Sequence, residues 1–301
     1  MDKKFFIFVG AIAAVIIAVA IFVFIKPNSP DDNRTLQVTA SAGFWGNIAK
    51  QIGGDHVTVT SILDDPEADP HLYESGARDA SDITKADLVI ANGLGYDDFI
   101  DKVLGTAPDP SRSYLKISDL LKKNLDANPH IWYDIPNAII VAGDIEARLS
   151  QLDPAHSADY KANLTTFTDA LQPLFDRIGT IKAQHADAPV AYTERVPEYL
   201  LVAAGLKIVS PAGFAAAIEE GNEPGPADQA AMRDLITKKQ IRVFLYNSQA
   251  ESPVTQSMRE LAQQNNIPVV AVSETAPDGK NFQDWQLAQL DALLGALNNK
   301  Q

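Results

Sequence analysis

No cysteine occurs in the 301 residues. That excludes disulfides, thiolate metal ligands, cysteine nucleophiles and iron–sulfur centres, and it leaves no thiol for a membrane-anchoring lipid. A thiol-free chain is compatible with the outside of a cell without being placed there by that fact alone. Basic residues are also scarce. Lys and Arg number 25 against 39 Asp and Glu, a formal charge of -14, and no basic stripe offsets it, so nucleic acid is not an expected partner. Motifs for turnover are missing too: there is no His-Glu-x-x-His, no Gly-x-Ser-x-Gly and no phosphate loop. Histidine is rare, with five in the chain.

One long apolar run is present, from Phe5 to Ile25, preceded by Lys3 and Lys4 and closed by Lys26 and Pro27. In a helix it would rise about 30 Å, enough to cross the hydrocarbon core of a bilayer. The basic amino side orients the remainder outward. Ala18-Val19-Ala20 has the small-x-small pattern of a processing site, so residues 1–27 read as a retained signal anchor or as a cleaved signal peptide. Retention makes this a cell-membrane protein with its soluble part outside; cleavage makes it secreted or periplasmic.

Residues 28–35 read as a tether, and the roughly 270 residues beyond suffice for two domains or one large one. Strand-like runs at 36–41, 57–63, 88–91 and 114–117 alternate with a helical stretch at 44–52, and Gly53-Gly54 supplies a break. Residues 36–152 therefore form a first α/β lobe with a parallel-sheet core. Over 153–186, Leu164, Phe167, Leu171, Leu174, Ile178 and Ile181 recur at spacings of three or four. This predicts one long helix joining two lobes, with Pro173 kinking it or removing a hydrogen bond. The α/β pattern resumes over 187–301, with strands at 190–193, 207–209, 243–246 and 269–272 and helices at 254–264 and 282–298. Ligands of open α/β sheets lie beyond the carboxyl ends of strands, so an interlobe cleft is the expected binding place.

Four residues suit that cleft. His71 lies in Asp69-Pro70-His71 and His130 in Asn128-Pro129-His130, each behind a proline that limits backbone freedom. Glu194 follows the apolar run Val190-Ala191-Tyr192, and Glu274 follows Val269 to Val272. Two imidazoles and two carboxylates make a site for a divalent transition ion whose charge the carboxylates neutralise. Taken singly, each has a plainer reading as a capping, solvated or salt-bridged residue, Glu194 with Arg195 among them. His56, His156 and His185 are expected to be structural or exposed.

The chain resembles the metal-binding subunits of bacterial zinc and manganese ABC importers, the cluster A-I solute receptors. The likeness rests on Phe44-Trp45-Gly46-Asn47-Ile48, on Asp69-Pro70-His71 with Tyr73-Glu74, and on Lys85-Ala86-Asp87 through Asn92-Gly93. Further on it rests on Asn128-Pro129-His130-Ile131-Trp132, Thr193-Glu194 with Glu198-Tyr199-Leu200, and Ser273-Glu274-Thr275. It extends over about residues 36–298. It implies two α/β lobes joined by a long rigid helix, with one metal ion between them. His71 and His130 would be its ligands from the first lobe, Glu194 and Glu274 from the second.

Many zinc receptors of this type carry a third histidine where Glu194 stands, and a histidine-rich acidic loop. Here Asp64-Asp65-Pro66-Glu67 contains no histidine. The fourth family position is often aspartate, and Asp278 is the alternative to Glu274. Two histidines and two carboxylates resemble the manganese or iron branch, although zinc binds nitrogen–oxygen sites more tightly than manganese. The implied function is capture of manganese or zinc by a monomer and delivery to an ABC permease with its cytoplasmic ATPase. The alternatives from other classes are a metal-stabilised surface adhesin and a metal-dependent hydrolase. The latter would need a general base beyond the carboxylates already used as ligands.

Overall fold

A computed structural model describes residues 34–66, 73–124 and 127–299. The apolar run 5–25 and His71 lie outside the described residues. Among the described residues no helix is long and apolar enough to cross a membrane.

Two four-stranded parallel sheets form the frame. The first has the order β2 (Val57–Leu63), β1 (Leu36–Ala42), β3 (Leu88–Ala91), β4 (Ser113–Lys116). The second has the order β6 (Lys207–Ile208), β5 (Pro189–Tyr192), β7 (Val243–Asn247), β8 (Val269–Val272). Val38 pairs with Val59 on one side and Leu88 on the other, and Val190 pairs with Ile208 and Val243. All of β3 is buried, as expected of a strand covered by helices on both faces. The shared order puts a topological switch point between β1 and β3 and another between β5 and β7, where crossover loops diverge.

In the first lobe the helices are α1 (Gly43–Gly53), α2 (Ala77–Lys85), α3 (Phe99–Thr106) and a single turn, α4 (Ile117–Leu120). Helix α1 lies tight on β2 because two of its positions lack side chains. A Cβ on Gly43 would stand 1.9 Å from Asp64 Oδ1, and one on Gly46 would stand 2.1 Å from Ser61 Oγ. Then come α5 (Ile135–Leu152), α6 (Ser157–Asp169) and α7 (Gln172–His185). The second lobe adds α8 (Glu198–Ala203), α9 (Ala212–Glu219), α10 (Pro226–Thr237), α11 (Pro253–Gln264) and α12 (Phe282–Asn298).

The single helix expected over 153–186 is instead two. Residues 154–156 form a 3-10 turn, and α6 and α7 are separated at Ala170-Leu171. Both intervening residues keep right-handed helical dihedrals, and Leu171 N donates to Thr168 O (3.1 Å). Pro173, in the first turn of α7, has no N–H to offer the Asp169 carbonyl, so the hydrogen-bond ladder stops without the chain reversing. The apolar stripe survives the break: Phe167, Leu171, Leu174 and Ile181 are all buried. Helix α6 packs on α1 and α5, and α7 packs on α12.

Three histidines pin the ends of this broken strut. His56, after α1, stacks on His156 (ring centroids 3.8 Å apart), and its Nε2 lies 3.0 Å from Asp159 Oδ2. His185 Nε2 meets Asn298 Oδ1 at 2.9 Å, tying α7 to the end of α12. One continuous core runs through both sheets and the strut, from Val38 and Ile90 through Ile145, Leu174 and Leu290 to Val190 and Leu245. The lobes also meet through amides, since Gln51 of α1 and Gln283 of α12 exchange hydrogen bonds of 2.9 Å in both directions.

Candidate metal centre

His130 is oriented by what precedes it. The Asn128 side chain donates through Nδ2 to Arg195 O in the second lobe (2.8 Å), which aims its Oδ1 back at His130. That oxygen accepts both the His130 backbone N–H (3.0 Å) and ring Nδ1 (2.7 Å). An amide oxygen only accepts, so Nδ1 carries a proton, and in the neutral ring Nε2 is the nitrogen with the lone pair. Nε2 lies 3.5 Å from Glu274 Oε2.

The loop carrying His130 is fastened to the end of β3. Asn92 Nδ2 donates to Pro129 O (3.0 Å), and Asn92 Oδ1 accepts from Trp45 Nε1 (3.1 Å). Asn92 N and Gly93 N donate to the Asp97 carboxylate. Burial pushes the Asp97 carboxyl above its ordinary value, partly offset by Ser41 and by those two hydrogen bonds. Below the imidazole, Trp132 stacks on Phe44 at 3.9 Å, and both are fully buried.

The two glutamates arrive from the second lobe. Glu194 lies two residues past β5 and Glu274 two past β8; their exposures are 1% and 0%. Asn247, the last residue of β7, bridges them: Nδ2 donates to Glu194 Oε2 (3.2 Å) and to Glu274 Oε1 (2.8 Å). From the first lobe, Tyr96 OH donates to Glu274 Oε2 (3.1 Å). The backbone N–H groups of Glu274 and Thr275 donate to Gln249 Oε1 at 2.6 and 3.2 Å. The Tyr133 hydroxyl lies within hydrogen-bonding distance of Ser273 O (2.6 Å) and Gln289 Oε1 (2.7 Å). Burial raises the Tyr133 pKa and keeps the phenol neutral.

Of the four residues expected from sequence, the structure brings together His130, Glu194 and Glu274. His71 lies outside the described residues, and among the described residues no three His, Asp or Glu side chains make a complete metal-holding group. Asp278 stands elsewhere, on an exposed loop. It faces Asp64 across a groove of about 700 Å³ that both residues line with Lys50 and Asn47. Burial and then the neighbouring Asp278 charge raise the Asp64 carboxyl. The sequence carries no signal for a role of Asn247, Gln249, Tyr96 or Tyr133 at the site. Asn128 alone carried a signal, its position two residues before His130.

Comparison with known proteins follows the same lines. The family model described as zinc-uptake complex component A, periplasmic, matches residues 38–296. The chain belongs to this family. The manganese-binding lipoprotein MntA of Bacillus subtilis is 29% identical over 238 residues, 74% of each chain. Among solved structures, the solute-binding protein FpvC of Pseudomonas aeruginosa in complex with Mn2+ has a TM-score of 0.73 at 23% identity. That match covers 88% of this chain and 98% of FpvC. The periplasmic zinc-binding protein TroA of Treponema pallidum has a TM-score of 0.72 at 18% identity, covering 89% and 100%. The two structures share the bilobal fold, and membership of the zinc-uptake family rests on the match over residues 38–296.

Proposed function

We propose that the protein captures a divalent transition metal ion, manganese or zinc, outside the cytoplasmic membrane and hands it to the permease of an ABC importer. The observation that carries this reading is the meeting of His130 Nε2 with the Glu274 carboxylate, bridged through Asn247 to Glu194, in a buried cluster between the lobes. His71, beyond β2, is the fourth ligand in this reading. Two neutral imidazoles and two carboxylates balance a divalent charge in a dry setting, where an unbalanced ion would be costly.

The site suits capture better than turnover. Its carboxylates serve as ligands, which leaves neither as a general base for an attacking water. In this reading the protein is a monomeric binding protein, not an enzyme, and an intracellular ATPase powers import. Relatives in the family are named lipoproteins, whereas this sequence contains no cysteine to take a lipid. The apolar run 5–25 serves as the anchor instead and keeps the receptor at high local concentration near its permease.

Calorimetric titration of metal-free full-length protein with Zn2+ and Mn2+ tests the proposal. One-to-one binding that His71→Ala, His130→Ala and Glu274→Ala each abolish is the expected outcome. Multi-site binding indifferent to all three would refute it.

A further inference from the structure

The register of β7 and β8 ends with Asn247 opposite Val272, and Ser248 N donates to Val272 O (2.9 Å). Glu274 lies two residues past Val272, in a loop whose buried N–H groups still need acceptors. Side-chain amides supply them. Ser273 N donates to Gln289 Oε1 (3.2 Å), and Glu274 N and Thr275 N both donate to Gln249 Oε1 (2.6 and 3.2 Å). The same glutamine donates through Nε2 to Thr275 Oγ1 (2.7 Å) and through its backbone N–H to Asn247 Oδ1 (3.0 Å). Asn247 in turn reaches the Glu274 carboxylate through Nδ2 (2.8 Å). Gln249 thus holds Glu274 at both ends, the backbone directly and the carboxylate through Asn247. Being neutral, it does so without adding a third negative charge beside Glu194 and Glu274.

We propose that Gln249 is a positioning residue for metal capture, one that sets the loop carrying Glu274 before the ion arrives. This rests on the capture reading above, with Glu274 as a ligand. An ion binds only those molecules whose ligands are already arranged, and apparent affinity falls in proportion to their fraction. Without Gln249 Oε1, two adjacent N–H groups lose their acceptor. The loop from Ser273 to Thr275 then gains conformations that bring those groups to water and carry the Glu274 carboxylate out of place. Once an ion is bound, the metal itself holds the carboxylate. The loss therefore falls on association and leaves dissociation little changed. Because loop geometry and not ligand chemistry is altered, Zn2+ and Mn2+ lose alike.

The test compares full-length wild type with Gln249→Met, an unbranched apolar side chain of similar length, with circular dichroism confirming the fold. Stopped-flow tryptophan fluorescence gives association rates for Zn2+ and Mn2+, Trp132 lying 5.2 Å from the His130 ring. Transfer of the bound ion to a chelator gives dissociation rates. Affinity is expected to fall about 10- to 100-fold, the usual scale for groups that orient ligands, by the same factor for both ions and mainly through association. Unchanged affinity, a loss lying mainly in dissociation, or a loss confined to one ion overturns the proposal. A purely structural role would lower the unfolding midpoint and leave the association rates as they are. Hydrogen exchange at the Glu274 and Thr275 amides of metal-free wild type tests the proposal without any variant. Exchange well below the rate of an unstructured peptide is expected, and exchange at that rate overturns it. Glu274→Ala separates the two failures. If it binds as wild type does, the capture reading itself is wrong at this ligand; if it loses binding while Gln249→Met associates as wild type does, only this inference falls.

Discussion

Tyr133→Phe removes one hydroxyl from the seam between the lobes, and its consequences can be worked from the contacts. The phenol follows His130 by three residues, and its oxygen lies 2.6 Å from the carbonyl of Ser273, the residue before Glu274. It thus links the loop of one proposed ligand to the loop of another. Gln289 Oε1, its second neighbour at 2.7 Å, also accepts from Ser273 N (3.2 Å), so that oxygen retains a donor in the variant. The Ser273 carbonyl loses the phenol as a donor. Removing a buried donor in this way costs about 1–2 kcal/mol. The ring itself stays, with its edge-to-face contact to Trp285 at 6.0 Å, so no cavity contribution is added.

With a urea dependence of about 3 kcal/mol/M for a chain of this size, the unfolding midpoint falls by about 0.3–0.7 M. Because the bond aligns the loops of two proposed ligands, Zn2+ affinity is expected to fall about tenfold as well. Urea unfolding of metal-free protein and calorimetric titration measure the two effects separately. A midpoint within about 0.1 M of wild type, with affinity unchanged, would mean that the hydroxyl links nothing across the seam and that the alignment argument is wrong.

Three further outcomes are expected. Gly93→Ala should lose about 2–4 kcal/mol in urea unfolding, because Gly93 has φ +80° and a Cβ there would stand 2.2 Å from Ser118 Oγ. Asn128→Ala should lower Zn2+ affinity about 10- to 100-fold by removing the acceptor that keeps the His130 proton on Nδ1; titration showing no loss would contradict the tautomer assignment. Burial pushes the Asp153 carboxyl up, but hydrogen bonds from Tyr160 and His156 outweigh that and hold it below 3.8. Its stabilising contribution is therefore complete above the ordinary value and lost as pH falls through the lowered one. Midpoints measured between about pH 5 and pH 3 should fall more steeply in wild type than in Asp153→Asn.

The frame was legible because its signals are local. Val190 to Tyr192 and Val269 to Val272 are apolar runs of strand length, and the turn residues Gly53-Gly54 and Asn92-Gly93 mark where strand and helix exchange. The short helices Ala77–Lys85 and Ala212–Glu219 were not legible: one is largely polar and only partly buried, the other a short alanine-rich stretch. The broken strut was half legible. Pro173 announced a lost hydrogen bond, but only packing of α6 on the first lobe and α7 on the second sets how far the break opens. At the site, proline before histidine and glutamate after a strand were visible. The amides that aim them were not, because Asn and Gln follow no spacing rule and Asn247 is 53 residues from Glu194.

Those amides bear on how the receptor would let go of its ion. The core that runs from Val38 through Leu174 to Leu245 is continuous across both lobes, so swinging the lobes apart would expose apolar surface at about 25 cal/mol per Å². Local movement costs less. The contacts across the site itself are hydrogen bonds, Tyr96 to Glu274 and Asn128 to Arg195 O, each contributing on the order of 1 kcal/mol net and readily exchanged for water. Release by displacement of one ligand loop therefore follows from where the apolar and polar contacts lie. If so, metal removal should raise amide hydrogen exchange in the loops around His130 and Glu274 and leave α6 and α7 protected. Uniform deprotection of the strut would instead point to separation of whole lobes.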